Sequence, residues 1–194
     1  MTMRATYPET IIFDLDGTLI ELNLDFEAIR RAIGIRGRYI LESLFELSED
    51  ERKRGIEILK EFEIRSAMTA KLMPHAKEIL DLLGDLGIKR GIVTRNCRES
   101  VEIVVDRFGL DLDFVITRED AKPKPSPEPI HLALRMVKSY PSRAIVVGDY
   151  KFDIIAGKLA GTKTALILND RNRIYASMAD YVLRSLKDVE RLLR

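Results

Sequence analysis

The stretch Ile11-Ile12-Phe13-Asp14-Leu15-Asp16-Gly17-Thr18-Leu19-Ile20 is the most informative part of this chain for predicting its fold. It begins with an apolar run of the length and kind that a buried strand needs. Because side chains alternate along an extended strand, Asp14 and Asp16 start on the same face. Gly17 then lets the backbone turn where a larger residue would clash. The stretch therefore predicts two carboxylates at the carboxyl end of a buried strand, where open α/β sheets bind ligands.

Two carboxylates this close repel each other, so one of their pKa values rises unless a cation lies between them. A hard divalent cation such as Mg2+ prefers carboxylate oxygens and commonly binds together with phosphate. One acid can then act as a nucleophile while the other transfers a proton. The alternative is that Asp14 and Asp16 only form a turn, since Asp and Gly are frequent turn residues. The preceding strand and three polar segments later in the chain favour the catalytic interpretation.

Composition limits the classes to which the protein can belong. The chain has 194 residues, 46% of them hydrophobic, which fits one large domain or a core domain with a small second one. The formal net charge of +1 gives no global attraction to nucleic acid or to a membrane. No apolar run approaches the roughly 20 residues of a membrane helix. Because Cys97 is the only cysteine and no signal peptide is evident, we expect a cytoplasmic protein.

Apolar runs typical of strands alternate with amphipathic helical patterns through most of the chain. The predicted strands cover residues 11–14, 91–94, 114–116, 144–148, 164–168 and 181–183. This alternation predicts an α/β fold with a doubly wound, mostly parallel sheet covered by helices on both faces. In the later helices, Ser126 is expected as an N-cap with Pro127 at the first helical position, and Ser185 should open a last amphipathic helix.

Residues 23–73 have a different character, with apolar residues at helical spacing and no strand-like run. Ser48 followed three residues later by Glu51 is typical of a capping box and predicts a helix start. Pro74 is expected to open the next helix. We therefore expect a small all-helical domain at 23–73, inserted after the first strand into an α/β core domain formed by residues 1–22 and 74–194.

Four of the predicted strands are followed by polar side chains suited to catalysis. They are Asp14 and Asp16 after the first strand, Thr94, Arg95 and Asn96 after the second, Lys122 and Lys124 in a proline-rich loop after the third, and Asp149 and Asp153 after the fourth. Because the carboxyl ends of parallel strands meet at one edge of a sheet, these groups should converge on one crevice. Acids, a hydroxyl and a lysine suit phosphoryl transfer, in which a carboxylate attacks phosphorus while cations hold the charged oxygens.

The string Asp14-Leu15-Asp16-Gly17-Thr18 resembles the first motif of the haloacid dehalogenase superfamily in its phosphatase branch, and three further motifs follow in order. The resemblance implies that Asp14 is the nucleophile and a Mg2+ ligand. It implies that Asp16 is the general acid/base, with its main-chain carbonyl also on the metal. Thr94 matches the hydroxyl that binds substrate phosphate, with the Arg95 N–H beside it. The Arg95 guanidinium could bind an anionic group as well, or face solvent.

The later motifs supply the remaining roles. Asp149 matches an acid that binds Mg2+, and Asp153 matches a supporting acid behind the metal ligands. The family pattern Lys-Pro-x-Pro begins at both Lys122 and Lys124, so the sequence alone leaves two candidates for the catalytic, phosphate-binding lysine. The Glu128-Pro129 pair that follows resembles the family form when the pattern starts at Lys124, which favours that residue.

The resemblance also implies an activity. We expect a Mg2+-dependent phosphatase that hydrolyses a small-molecule phosphomonoester through an aspartyl-phosphate, with 2-phosphoglycolate as a candidate because residues 23–73 resemble the small helical cap of the phosphoglycolate-phosphatase-like branch. The segment after the first motif, Ile20-Glu21-Leu22-Asn23, departs from the Asp-Ser pair common there. Two alternatives are a phosphomutase acting on a sugar phosphate and a non-catalytic binding module on the same fold.

Overall fold

Six strands form the central sheet of this computed structural model, which describes residues 8–193. The strands are β1 (Thr10–Phe13), β2 (Lys89–Val93), β3 (Phe114–Ile116), β4 (Ala144–Gly148), β5 (Lys163–Ile167) and β6 (Tyr181–Leu183). Their order across the sheet is β3-β2-β1-β4-β5-β6, and each neighbouring pair is parallel. The predicted parallel α/β sheet is therefore confirmed, and the predicted strand limits lie within two residues of those observed.

Helices cover both faces of the sheet. They are α1 (Phe26–Ile33), α2 (Ile40–Phe45), α3 (Glu49–Thr69), α4 (Ala76–Asp85), α5 (Arg98–Phe108), α6 (Glu128–Met136) and α7 (Lys151–Leu159). Side chains alternate along β1, so Ile11 and Phe13 join the core layer under α4 and α5, whereas Ile12 joins the layer under α6 and α7. None of the helices within residues 8–193 is long and apolar enough to cross a membrane.

Helices α1, α2 and α3 follow β1 and precede α4, and we call these three helices the insertion. They share a small apolar cluster of their own, which consists of Ile29, Ile40, Leu41, Leu44 and Leu59. The capping box predicted at Ser48 is present, because the Ser48 N–H donates to Glu51 Oε2 at 3.2 Å. These residues are thus helical, as their spacing predicts. The division of the chain into a core domain and an inserted domain stays a prediction.

Two helix starts differ from the sequence expectation. Pro74 does not open α4, because His75 adopts a left-handed φ of 67° and the helix begins only at Ala76. Helix α6 begins one residue later than predicted, with Pro127 itself at the N-cap position. Ser126 still contributes to the N-terminus of α6, since its Oγ accepts a hydrogen bond from the Glu128 N–H at 3.2 Å.

The C-terminal segment Leu186–Leu193 is a 3-10 helix, a tighter coil than the amphipathic α-helix expected after Ser185. Its apolar side chains still face the core, because Leu186, Val189 and Leu193 are buried against the sheet. The apolar spacing thus identified the buried face but could not distinguish the two kinds of helix.

Candidate active site

Three predicted acids meet at the carboxyl end of the central strands. Asp14 follows β1 and Asp149 follows β4, which are neighbours in the sheet, and the Asp14 N–H donates to Val147 O at 2.9 Å. Carboxylate oxygens of Asp14, Asp149 and Asp153 all lie within 4.8 Å of one another. The parallel pairing of β1 with β4 therefore brings together side chains that are far apart in the sequence.

Asp153 is held in this cluster by the first turn of α7. Its Oδ2 accepts from the Tyr150 N–H at 3.0 Å, and the residue is buried with 2% exposure. A carboxylate in the first turn of a helix also interacts favourably with the helix dipole. Gly148 leaves the room that this carboxylate occupies, since a Cβ there would overlap the Asp153 side chain. The sequence predicts a supporting position for Asp153, and the structure places its oxygens in the same group as those of Asp14 and Asp149.

Lys124 supplies a positive charge within this group. Its Nζ lies 2.8 Å from Asp14 Oδ1 and 2.7 Å from Asp153 Oδ1, and it donates to the Val93 carbonyl at 2.5 Å. Burial opposes the ammonium charge, yet the two carboxylates raise the pKa of Lys124 above its usual value. Lys122 instead lines an open cavity of about 480 Å³ beside Phe45 of α2. Of the two candidate lysines, the fold brings Lys124 to the acids.

One lysine does not neutralise three carboxylates. Burial, and then the charge of Asp14, raise the pKa of Asp149 to about 8. Burial likewise raises the pKa of Asp153 to about 6, although Lys124 partly offsets this effect. The carboxylate oxygens of Asp14, Asp149 and Asp153 point toward one another, and their negative charge exceeds the positive charge of Lys124. A hard divalent cation such as Mg2+ prefers ligands of this kind. The residues therefore fit the predicted metal.

Asp16 lies beside this cluster and has a separate environment. Its Oδ2 accepts from Asn96 Nδ2 at 2.6 Å. Burial, followed by the neighbouring Asp14 carboxylate, raises the pKa of Asp16 to about 7. A carboxyl group with such a pKa can both give and accept a proton near neutral pH.

The turn after Asp16 depends on Gly17 in two ways. Gly17 adopts a φ of 78°, which disfavours residues with a side chain, and its N–H donates to Ile20 O at 2.8 Å. A Cβ at this position would also overlap the carboxylate of Asp149. The sequence predicted that a larger residue would clash here, and the structure identifies Asp149 as the group it would meet.

Thr94 and Arg95 follow β2 at the same edge of the sheet. Thr94 is buried, and its Oγ1 accepts from the Asn96 N–H at 3.2 Å. The Arg95 guanidinium donates to both oxygens of Glu42 in α2, at 2.9 and 2.8 Å, and also to the Lys124 carbonyl. It lies 4.8 Å from the ring centroid of Phe152. The Arg95 side chain thus joins the insertion to the site, and the alternative that it only faces solvent is wrong.

The sequence analysis predicted no role for two residues near the site. The first is Glu63 of α3, which is 3% exposed and pairs with Arg118 at 2.5 Å. The second is Lys151, whose Nζ lies 5.2 Å from the ring centroid of Tyr39 and 6.0 Å from that of Tyr175. Hydrogen bonding to Lys151 lowers the pKa of Tyr39. Glu63 is one of many charged residues at helical spacing in the insertion, so only its burial distinguishes it.

Comparison with known proteins agrees with this arrangement. Residues 20–167 match the haloacid dehalogenase-like hydrolase family. Pyrophosphatase PpaX of Oceanobacillus iheyensis is 30% identical, in an alignment that covers 93% of this chain and 94% of that protein. Phosphoglycolate phosphatase of Aquifex aeolicus is 28% identical, with 94% of this chain and 95% of that protein covered. Among solved structures, a HAD phosphatase from Thermococcus onnurineus matches with a TM-score of 0.70 and 25% identity, covering 95% of this chain and 97% of that one.

The family match begins just after the first motif and extends through β5, so it includes the insertion and the loops that carry Thr94, Lys124 and Asp149. The two curated relatives align over nearly their whole length and are both named as phosphatases. The chain therefore belongs to the haloacid dehalogenase-like hydrolase family, and it is an enzyme of the phosphatase kind.

Proposed function

We propose that this protein is a Mg2+-dependent phosphatase that hydrolyses a small phosphomonoester or pyrophosphate through an aspartyl-phosphate on Asp14. One observation carries the proposal. The Asp14 carboxylate lies against Lys124 and within 4.8 Å of two further acids, while Asp16 stands beside it with a pKa near neutrality. These groups correspond to a nucleophile, a set of charges to hold phosphate, and a proton donor.

Mg2+ would be held by the carboxylates of Asp14 and Asp149 and by the main-chain carbonyl of Asp16, with Asp153 next to them. When bound, the cation supplies positive charge that stabilises the transferring phosphoryl group. The raised pKa values of Asp149 and Asp153 support this assignment, because burial disfavours both charged carboxylates, the Asp14 carboxylate adds to this effect, and a bound cation would relieve it. Removal of the cation should therefore abolish activity.

In the first step an Asp14 oxygen attacks phosphorus, and the bond between phosphorus and the leaving-group oxygen breaks. The protonated Asp16 gives its proton to that oxygen, so that the leaving group, an alcohol for a phosphomonoester or phosphate for pyrophosphate, departs in its protonated form. Lys124, the Thr94 hydroxyl and the Arg95 N–H hold the phosphoryl oxygens, where negative charge develops.

In the second step the aspartyl-phosphate is hydrolysed. The deprotonated Asp16 takes a proton from a water molecule as the water oxygen attacks phosphorus. The bond between phosphorus and Asp14 then breaks and releases inorganic phosphate. Each step leaves the enzyme ready for the next, since the proton that Asp16 gives up in the first step is regained in the second.

The leaving group is expected to carry a second anionic group. Lys151 has no carboxylate partner among residues 8–193, and its ammonium lies among the rings of Tyr39, Phe152 and Tyr175. Its position two residues after Asp149 and opposite the insertion suits recognition of a carboxylate or phosphate on the leaving group. Pyrophosphate and 2-phosphoglycolate, to which the names of the two curated relatives refer, both meet this requirement.

The insertion would serve as a cap domain over the site, in line with the predicted division into residues 1–22 and 74–194 and residues 23–73. Two contacts between the insertion and the site support such a role. Arg95 donates a hydrogen bond to Glu42 of α2, and the ring centroids of Tyr39 and Phe152 are 5.0 Å apart. A cap of this kind excludes bulk water from the reacting phosphate and contacts the leaving group.

The test is phosphate release from a panel of phosphomonoesters and from pyrophosphate, with Mg2+ and with chelator. The panel is run with the natural protein, with Asp14→Asn and with Asp170→Asn, whose carboxylate is 94% exposed and serves as the matched control. We expect release that requires both Mg2+ and Asp14 and is unaffected in the control. Full activity of Asp14→Asn would contradict the covalent route. An isomerised sugar phosphate without phosphate release would instead indicate a phosphomutase.

A further inference from the structure

The carboxyl group of Asp16 is held by the side chain of Asn96. Asn96 Nδ2 donates to Asp16 Oδ2 at 2.6 Å, across 80 positions of sequence. This is the one hydrogen bond that the Asp16 carboxyl makes within residues 8–193. Asn96 itself is buried, with 9% exposure, so water does not readily replace this donor. The orientation of the Asp16 carboxyl therefore depends on where Asn96 is held.

The backbone around Asn96 is fixed by hydrogen bonds on both sides. The Asn96 N–H donates to Thr94 Oγ1 at 3.2 Å, and the Asn96 carbonyl accepts from the Arg118 N–H at 3.3 Å. The Arg95 carbonyl accepts from Arg118 Nη1 at 3.1 Å, and the Cys97 N–H donates to Glu63 Oε2 at 3.0 Å. Three successive residues of this loop thus have a partner outside the loop, which restricts the position from which Asn96 reaches Asp16.

Glu63 is the part of this network that comes from the insertion. It lies on α3, and both it and Arg118 are almost fully buried, with 3% and 8% of their side-chain surface exposed. Arg118 Nη1 contacts both Glu63 oxygens, at 2.5 and 2.7 Å. A buried ion pair is weak evidence for stability, because removing both charges from water has a large cost. The pair here instead specifies one geometry between α3 and the loop that carries Asn96.

We propose that Asn96 is a positioning residue that aligns the Asp16 carboxyl for proton transfer, and that Glu63 fixes the loop from which Asn96 acts. This inference rests on the proposed function and adds a role for the insertion beyond contact with the leaving group. The alignment of the acid/base then depends on the docking of α3 against the loop at 95–97. Separation of α3 from that loop would release the Cys97 N–H and break both contacts of Arg118 Nη1 with the Glu63 oxygens.

The test compares the two chemical steps in the Asn96→Ala variant. With p-nitrophenyl phosphate the leaving phenolate needs little proton transfer, so formation of the aspartyl-phosphate should stay fast. Hydrolysis of the aspartyl-phosphate still needs Asp16 as a base, and we expect it to slow about 10- to 100-fold. Rapid-mixing measurements should then show a burst of about one p-nitrophenolate per enzyme molecule before a slow steady state. With an alkyl phosphomonoester such as glycerol phosphate, the first step should slow as well and the burst should be absent.

Two further variants separate positioning from a general loss of structure. Glu63→Gln keeps a hydrogen-bond acceptor for the Cys97 N–H but removes the charge that holds Arg118, so it should show the same burst with a smaller loss of steady-state rate. Asp113→Asn is the matched control, because Asp113 forms a comparable ion pair with the buried Arg90, at 3.0 Å, at the opposite end of β2. It should lower the melting temperature without producing a burst.

The outcomes distinguish this inference from the proposed function. A natural protein that releases no phosphate from any ester would overturn both. An active natural protein whose Asn96→Ala variant keeps its steady-state rate would overturn only the positioning role. The same holds for a variant whose rate falls equally for both substrates with no burst, since that pattern indicates a damaged site rather than a misaligned acid/base.

Discussion

The ammonium of Lys124 lies 2.8 Å from the Asp14 carboxylate, although 110 positions separate the two residues in the sequence. The same ammonium reaches Asp153 at 2.7 Å and is 2% exposed. It is therefore a fixed charge at the nucleophile, held by Asp14 after β1 and by Asp153 in the first turn of α7, and buried away from bulk water. In a buried environment such a charge interacts with phosphoryl oxygens much more strongly than a solvated lysine does.

Replacement of this lysine should impair catalysis far more than replacement of its neighbour. Lys124→Met keeps the apolar stem of the side chain but removes the charge, and we expect kcat to fall about 10²- to 10³-fold. Lys122→Met alters the same loop at a position away from the acids and should leave kcat near that of the natural protein. Steady-state phosphate release measures kcat for both variants. Equal losses in both would show that the loop, rather than the ammonium of Lys124, is what matters.

Gly17→Ala should weaken the metal site directly. The new Cβ would overlap the Asp149 carboxylate, in addition to the strain of a left-handed φ of 78°. Gly34→Ala is a matched control, since Gly34 has a φ of 84° but nothing within 4 Å of the added Cβ. Both variants should lose about 1 kcal/mol of unfolding free energy from backbone strain. Only Gly17→Ala should lose phosphatase activity and Mg2+ binding, as followed by titration calorimetry; equal Mg2+ binding by both variants would refute the overlap argument.

The metal-free protein should become less stable as the pH rises from about 5 to about 8.5. Folding raises the pKa of Asp153 to about 6, of Asp16 to about 7 and of Asp149 to about 8. In the unfolded chain each carboxyl titrates near 4. The folded protein therefore holds more protons than the unfolded chain in this interval, and that stabilisation is lost as the pH passes through the folded pKa values.

Thermal unfolding in chelator at both ends of this interval measures the effect. Mg2+ should raise the melting temperature more at the alkaline end, where the acids are charged and bind it best. Asp149→Asn should make the dependence on pH shallower, because it removes the acid with the highest of the three pKa values. A melting temperature that is independent of pH in chelator would contradict the electrostatic description of the site.

Lys151→Met should distinguish substrates by the charge of their leaving group. If Lys151 binds a second anionic group, its removal should lower kcat/KM for pyrophosphate or 2-phosphoglycolate about tenfold or more, as expected for loss of a charge-assisted hydrogen bond. The value for p-nitrophenyl phosphate, whose leaving group carries no anionic group, should change little. Lys158→Met, at an exposed position near the other end of α7, serves as the control. A uniform loss for all substrates would argue against a role in specificity.

Local sequence patterns were enough to predict the parallel sheet, the helical character of residues 26–69 and the positions of the acids after β1 and β4. These features depend on local periodicity and on short motifs, which a few neighbouring residues specify. Helix starts were less well predicted, because the left-handed His75 and the N-cap position of Pro127 are set by the backbone rather than by residue type.

The folded chain was needed to identify the lysine that meets Asp14, the group that holds Asp16 and the contacts of the Arg95 guanidinium. The partners of these groups are 110, 80 and 53 positions away in the sequence, respectively. Such pairs form because strands from distant parts of the chain end at one edge of the sheet and because α2 and α3 pack over that edge. Burial then fixes their charges and raises their pKa values, and burial is a property of the whole packed chain rather than of any segment.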